Sequence, residues 1–235
     1  MLKLKFGLLT LGTAILMASC GSEKANTNSS TEENHADHQN REQGETTPAI
    51  SATYTVDTEA SSIKWTAPKV FSSGHWGYIN LQSGSIDVTD GEIDNGSFEV
   101  AMNTLTVEDM EDGDKKSSLV THIKGIEEEK ADDFFNINEY PTAAFNITSV
   151  ARNEDGAENT HTINGDLTIK GHTESLSFGA DITLDEDQLI GKGVMVVDRT
   201  KFGITYNSKN FFKDVADKYA IKDEFSLEIE LVAAK

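Results

Sequence analysis

The chain has 235 residues, of which 40 are acidic and 20 are lysine or arginine, giving a formal net charge of −20. So acidic a surface repels phosphate backbones, which excludes nucleic acid as a partner, and it offers no polybasic grip on anionic lipid. A single cysteine excludes an internal disulfide, so packing and backbone pairing must stabilise a domain of ordinary size.

The N-terminus has the order of a secretory signal peptide over residues 1–19. Two lysines precede about a dozen mostly apolar residues, too few to span a bilayer, and small side chains follow. The run Leu16-Met17-Ala18-Ser19-Cys20 resembles a bacterial lipoprotein signal, in which the cysteine is acylated and becomes the new N-terminus. We expect Cys20 to carry lipid such as palmitate and to anchor the protein in the cell envelope, facing the periplasm or the cell surface. The alternative is an ordinary cleaved signal with an incidental cysteine.

Residues 20–50 are polar and almost lack large apolar side chains. Such a segment cannot bury enough surface to offset its ordering entropy, so it predicts a disordered tether. His35 and His38 lie there among acidic residues, but a flexible segment loses much entropy in forming a site. We interpret them as solvated linker and predict no metal site in the chain.

From Tyr54 onward, short runs alternate apolar and polar residues, separated by turn signals such as Asp94-Asn95-Gly96. This period predicts strands with one buried face, and the turns favour antiparallel neighbours within one domain over residues 51–235. A barrel or a sandwich fits such repeated hairpins. The alternating positions are Ile63 and Trp65, Ile79 and Leu81, Ile86 and Val88, Phe98, Val100 and Met102, Ala143, Phe145 and Ile147, Ile163, Leu167 and Ile169, Leu176, Phe178, Ile182 and Leu184, and Phe225, Leu227, Ile229 and Leu231.

Charged sequence over residues 107–140 interrupts the alternation. Apolar residues recur there at helical spacing and predict a helix over 115–124. A second short turn is expected over 131–135, with the glutamates at 127–129 as a solvated connection. Similar spacing before the last strand predicts a further helix over 212–219.

Several motifs occur in a distinctive order along this domain. They are Gly74-His75-Trp76-Gly77, Leu119-Val120-Thr121-His122-Ile123, Asp132-Asp133-Phe134-Phe135 running on to Tyr140-Pro141, Asn164 to Thr173, and Asp198 to Ile204. Together they resemble the YceI family over residues 54–232. That resemblance implies a mainly β fold, an extended antiparallel lipocalin-like β-barrel with a short helical insertion. It also implies a lumen that holds a long polyisoprenoid or fatty chain, without a cofactor.

The alternation alone leaves the lumen open to two interpretations, because an eight-stranded barrel is either filled by its own side chains or holds one slender ligand. The resemblance favours a ligand, whereas each apolar residue taken singly fits a packed core slightly better than a ligand contact. The lipid-contact candidates are Phe98, Val100, Met102, Phe134, Phe135, Phe145, Ile147, Leu167, Ile169, Phe178 and Met195.

Three polar residues, His75, His122 and Arg199, are candidates for contact with the head group of the lipid. Each has a structural alternative. A histidine on an amphipathic helix commonly forms a hydrogen bond within the packing, and an arginine in so acidic a chain commonly forms an ion pair.

Enzyme activity is not expected, because the chain lacks a Gly-x-Ser-x-Gly elbow and a His-Glu-x-x-His zinc helix. The leading hypothesis is a secreted, lipid-anchored protein that carries, stores or sequesters a long apolar lipid. The alternative is a ligand-free barrel or sandwich that serves as an adhesion or assembly module of the cell envelope. The sequence leaves open whether the protein forms a homodimer.

Overall fold

Nine antiparallel strands dominate residues 48–235, the part of the chain that the computed structural model describes. The predicted signal peptide, Cys20 and almost all of the predicted tether lie outside the described residues. Within this part, no helix has both the length and the apolar character that crossing a membrane requires. The strands are β1 (Ser51–Val56), β2 (Ser62–Ala67), β3 (His75–Thr89), β4 (Glu92–Ala101), β5 (Thr142–Arg152), β6 (His161–Ile169), β7 (His172–Leu184), β8 (Gln188–Asp198) and β9 (Glu224–Ala234).

The sheet closes on itself because β3 pairs with β4 as well as with β1 and β2. The two short strands β1 and β2 lie one after the other between β3 and β9. β1 pairs with the end of β3, where Ser51 lies opposite Thr89, and β2 with its start, where Ala67 lies opposite His75. Nine strands therefore occupy eight positions, and the predicted antiparallel, lipocalin-like barrel is confirmed.

The predicted alternation corresponds to strands with one inward face, with one exception and one omission. Met102 follows β4 and begins a short 3₁₀ helix, Met102–Thr104, yet remains buried. β8 was not among the predicted alternating runs. Its outward face carries the exposed residues Val194 and Val196, and glycines occupy inward positions, so the usual apolar alternation is absent.

The predicted helical insertion is present as α1 (Asp114–Lys124). It ends because Gly125 adopts a left-handed conformation with φ of 66° and donates its N–H to the carbonyl of His122. The second turn is a 3₁₀ helix over Glu128–Asp133, which begins earlier than predicted. Two of the three glutamates predicted as a connection therefore lie within a helical turn, although they are solvent-exposed as expected.

The helix predicted over 212–219 is wrong. This segment forms turns and a single 3₁₀ helix, Asp217–Tyr219, and Phe212 donates its N–H to the carbonyl of Ser208. Phe212 and Tyr219 are both more than half exposed. A short amphipathic helix depends on burying its apolar stripe, and here the stripe has no surface to pack against.

Gly165 lets two aromatic side chains meet over β6. Phe145 of β5 and Phe178 of β7 lie with ring centroids 5.9 Å apart, on either side of this glycine. A Cβ atom at Gly165 would stand 2.6 Å from the carbonyl oxygen of Asn146 and would overlap the Phe145 ring. The aromatic cluster therefore requires glycine at this position.

We expect Gly165→Ala to lower the free energy of unfolding by about 1–3 kcal/mol, because the added methyl group overpacks the barrel wall. Gly191→Ala is the matched control, since a Cβ there would meet only Leu231, at 3.8 Å. Its effect should stay within about 0.5 kcal/mol. Urea unfolding followed by circular dichroism measures both, and equal stabilities would contradict the close-approach argument.

Candidate functional site

The barrel encloses a cavity of about 130 Å³ beside α1, which we call the capped chamber. Its wall is apolar except for Arg199 and Lys222. Side chains from the strands form its sides, and α1 and the paired phenylalanines close one end. The lining residues are Ile63, Trp65, Ala67, Ile79, Val100, Met102, Leu105, Ile123, Phe134, Phe135, Ala143, Leu167, Ile169, Arg199, Ile204, Ile221, Lys222, Phe225 and Leu227.

A second cavity of about 120 Å³, the distal chamber, lies deeper in the barrel. Aromatic and aliphatic side chains dominate it, and its one charged lining residue is Lys192. The lining residues are Ile63, Leu81, Ile86, Ile93, Phe98, Val100, Phe145, Ile147, Ile163, Leu167, Phe178, Ala180, Ile182, Leu189, Gly191, Lys192, Gly193, Met195, Leu227, Ile229 and Leu231.

Four aliphatic residues line both chambers and form a waist between them. They are Ile63, Val100, Leu167 and Leu227, from β2, β4, β6 and β9. These strands are distributed around the ring, so the waist surrounds the barrel axis. Along β9 the lining runs from residue 225 to residue 231, about 20 Å of strand. The two chambers therefore lie end to end along the barrel axis with the waist between them, and together we call them the lumen.

All eleven apolar residues selected from the sequence line this lumen. Their side chains leave space between them, whereas a fully packed core would not. An apolar cavity of about 150 Å³ holds a benzene-sized guest, so each chamber is of the size that takes a short apolar group. Sequence reasoning missed Ile204 and Ile221, which lie outside the strands and carry no periodic signal.

Tyr54 of β1 is buried near the distal chamber, where its strand neighbour Ile86 is a lining residue. The tyrosine is 3% exposed, and its hydroxyl group donates to the carbonyl oxygens of Asp185 and Glu186 in the turn between β7 and β8, at 2.9 and 3.2 Å. A buried hydroxyl with two acceptors is expensive to displace. The Tyr54 side chain therefore holds β1 against the β7–β8 turn at this end of the barrel.

Beyond α1 and Phe134, at the opposite end, lies a third cavity of about 230 Å³, which we call the vestibule. It shares Trp65, Ala67, Ile123, Phe134 and Ile221 with the capped chamber, so these five residues separate the two spaces. Its remaining lining residues are more polar and include Lys69, His75, His122, Tyr206 and Asn207. The residues next to the lumen are therefore more polar at the end that carries α1.

Both candidate histidines lie on the vestibule, and each is paired with an aspartate. Nδ1 of His75 lies 2.8 Å from Oδ2 of Asp109, and Nε2 of His122 lies 2.8 Å from Oδ2 of Asp133. Burial raises the pKa of Asp109, but the backbone N–H of Trp76 and the His75 ring outweigh that effect, so this pKa falls below its usual value.

The aspartates fix the orientation of the two imidazole rings. The His122 ring also packs edge-on against Phe134 and Tyr206, with centroids 5.1 and 5.0 Å away. Such an arrangement offers oriented polar ring atoms beside an apolar partition. It can hold a polar group at the end of an apolar chain.

Arg199 occupies a different position from the histidines. It is 5% exposed, and its guanidinium group donates to the carbonyl oxygens of Ile204, Ile221 and Lys222 at 2.8 to 3.2 Å. It also contacts Oδ1 of Asp223 at 3.3 Å. Burial lowers the pKa of Arg199, while Asp223 and Asp198 act in the opposite direction.

Most of the Arg199 donors are therefore engaged by the chain itself. This geometry favours the ion-pair alternative over contact with a head group. Arg199 clamps the end of β8 to the segment that covers the vestibule.

We expect Arg199→Ala to lower the free energy of unfolding by about 3 kcal/mol, because buried carbonyl groups lose their donors. Arg199→Lys should restore little, since an ammonium group cannot present a planar fork of donors. Arg152→Ala, at an exposed arginine, is the control. If Arg199→Ala kept full stability but lost ligand binding, the arginine would be a head-group contact instead of a clamp.

Across residues 48–235, no cluster of three or more histidine, cysteine, aspartate or glutamate side chains has the geometry to hold a metal ion.

Comparison with known proteins identifies the domain. A family model described as a YceI-like domain matches residues 54–233. BcnA of Burkholderia cenocepacia has a similar structure, with a TM-score of 0.53 and 18% identity over 76% of this chain and 99% of BcnA. At this identity the likeness concerns the fold alone.

Two further structures are more distant. A polyisoprenoid binding domain from Saccharophagus degradans has a TM-score of 0.49 and 11% identity over 77% of this chain and 97% of that one. A YceI protein of Campylobacter jejuni has a TM-score of 0.45 and 19% identity over 67% of this chain and 84% of that one. A search of curated proteins found no match.

Proposed function

The chain belongs to the YceI-like family, and from this membership and the divided apolar lumen we propose that it binds a long apolar lipid inside the barrel. The lumen itself is the observation that carries the proposal. Two apolar chambers lie end to end with an aliphatic waist between them, and a vestibule that is more polar than either chamber lies at one end. A polyisoprenoid or fatty chain has the same order of parts, an apolar tail with a polar terminus.

Burial of the tail supplies the affinity. Each buried methylene group contributes about 0.8 kcal/mol, so roughly ten of them contribute about 8 kcal/mol before the entropic cost of binding. A dissociation constant of about 1 μM corresponds to a net binding free energy of about −8 kcal/mol, so affinity at that level requires more buried methylene groups to offset the entropic cost. No reacting group is needed, and we propose a binding protein without enzyme activity or cofactor.

The ligand enters tail-first through the vestibule in this proposal, because Tyr54 holds β1 against the β7–β8 turn at the other end. The tail passes the waist and fills the distal chamber, where Met195 and the aromatic cluster adapt to its shape. The polar terminus stays beside His75 and His122. A tail longer than the lumen, about 20 Å along β9, must bend or extend into the vestibule.

The wider role follows from the N-terminal sequence. We propose that residues 1–19 direct secretion, that Cys20 carries the lipid anchor, that residues 20–50 form the tether, and that residues 51–235 form the binding domain. The protein then holds its ligand in the cell envelope for carriage, storage or sequestration.

Native mass spectrometry of the full chain, purified without detergent, tests ligand binding directly. We expect a fraction of the protein to carry a co-purified lipid, and delipidated protein to take up added polyprenol or palmitate at one molecule per chain. Protein that is wholly empty and ignores both lipids would contradict the proposal. The ligand-free assembly module considered from the sequence would then replace it.

A tryptophan at Met102 should block the lumen at the capped chamber, because its larger ring fills the free volume beside this buried side chain. We expect Met102→Trp to fold and to lose uptake of all long-chain lipids. Met195→Trp narrows only the distal chamber and should still admit short chains. Uptake is followed by mass spectrometry with fatty acids of graded length. Unchanged uptake by folded Met102→Trp would remove this residue from the ligand path.

A further inference from the structure

Large apolar side chains stand exposed around the vestibule. We call them the apolar rim: Val70, Phe71, Phe211, Phe212 and Tyr219, with exposed fractions from 38 to 67%. Clustered exposed apolar residues are uncommon on monomeric proteins and mark contact surfaces. None of them lines the capped or the distal chamber.

The rim is continuous with the vestibule through direct backbone contacts. Val70 donates its N–H to the carbonyl of Ala220, and Lys69 pairs with Ile221 in an isolated bridge. These contacts tie the loop before β3 to the segment before β9. Tyr219 lines the vestibule itself, and Phe211 and Phe212 line the adjoining groove together with Tyr206.

The charge of the rim loops is opposite to that of the chain. Residues 205–222 contain four lysines and two aspartates, and residues 68–78 contain one lysine and no carboxylate, whereas the whole chain has a net charge of −20. The ammonium group of Lys218 lies 4.7 Å from the ring of Tyr219. Three carboxylates border the groove, Asp132, Asp133 and Asp214. Asp132 pairs with Lys170 and Asp133 with His122, and within the rim segment Asp217 pairs with Lys209.

We propose that the apolar rim docks on an anionic lipid bilayer, with the phenylalanines in the interfacial region and the lysines on the lipid phosphates. Aromatic residues flanked by lysine suit this interface. The docked vestibule lets a lipid move between bilayer and lumen without exposing its tail to water. The benefit of docking rests on the proposed lipid-binding function, although docking itself requires no bound ligand.

The N-terminal anchor permits this orientation. β1 enters the barrel opposite the end of β3, whereas the vestibule lies at its start, about 45 Å away along the strand. Residues 21–50 span at most about 100 Å when fully extended. A chain anchored at Cys20 can therefore turn its vestibule toward the membrane that holds it.

Single tryptophan substitutions test the docking. The full chain is placed on vesicles of equal parts phosphatidylglycerol and phosphatidylcholine, the latter brominated in its acyl chains. Phe71→Trp and Phe212→Trp report from the rim. Val194→Trp on the outer wall and Ile50→Trp beside β1 are exposed controls. Quenching is measured in excess of the parent chain, which contains two tryptophans.

We expect quenching at the rim sites at least about twofold above the controls, because interfacial side chains reach about 5–10 Å into the bilayer. High salt or pure phosphatidylcholine should weaken it. Combined Phe71→Ser and Phe212→Ser should weaken rim docking about tenfold or more, while Val194→Ser and Val196→Ser should not.

Equal quenching at all four sites, or none at the rim, overturns the proposal. Concentration-dependent dimerisation in the absence of lipid, abolished by the double serine variant, would also overturn it and assign the rim to a second copy of the chain. Because quenching needs no ligand in the lumen, docking stands or fails separately from the mass spectrometry result.

Discussion

The chambers exist because small side chains stand at inward positions of a closed eight-stranded wall. Ala67 and Ala143 line the capped chamber, and Ala180, Gly191 and Gly193 line the distal one. The waist between them consists of larger aliphatic side chains only. A closed barrel fixes the distance across its axis, so neighbouring strands cannot collapse to refill the space that a missing side chain leaves. The positions of the small residues thus divide the lumen, and everything proposed for the ligand depends on that division.

The fold was largely predictable because most strands obey the rule that one face is buried and the other is wet. β8 was not predicted, although its inward residues line the distal chamber. Two of its inward positions are glycines, and Val194 and Val196 lie exposed on the outside, so a hydropathy pattern cannot identify its buried face. At residues 212–219 the sequence predicted a helix that the structure does not have. This segment has helical spacing but no surface on which to bury the stripe, and spacing alone does not supply one.

The candidate site also has a part that the sequence predicted and a part that it did not. The lumen residues could be selected from strand periodicity, because every inward position of a barrel faces the axis. Of the vestibule, only the two histidines and Phe134 were selected from the sequence as site residues. Its other walls come from segments distant in sequence, such as those of Lys69 and Tyr219, and only the folded chain brings them together. Arg199 illustrates the limit for charged residues. Its sequence context favoured an ion pair over a head-group contact, but the sequence did not identify Asp223 or the three carbonyl oxygens that accept its hydrogen bonds.

The two ends of the barrel differ in what holds them, and this difference favours exchange at one end. The far end combines strand pairing with the two hydrogen bonds of the Tyr54 hydroxyl group. The vestibule end is held by backbone hydrogen bonds between loops, by the His75–Asp109 and His122–Asp133 pairs and by the Arg199 clamp. Segments with few buried contacts open at lower free energy than the strands they cover. Local opening at the vestibule can therefore admit a tail while the barrel wall stays paired. The same loops carry the apolar rim, so the end at which we propose that the tail enters is also the end that we propose to face the bilayer.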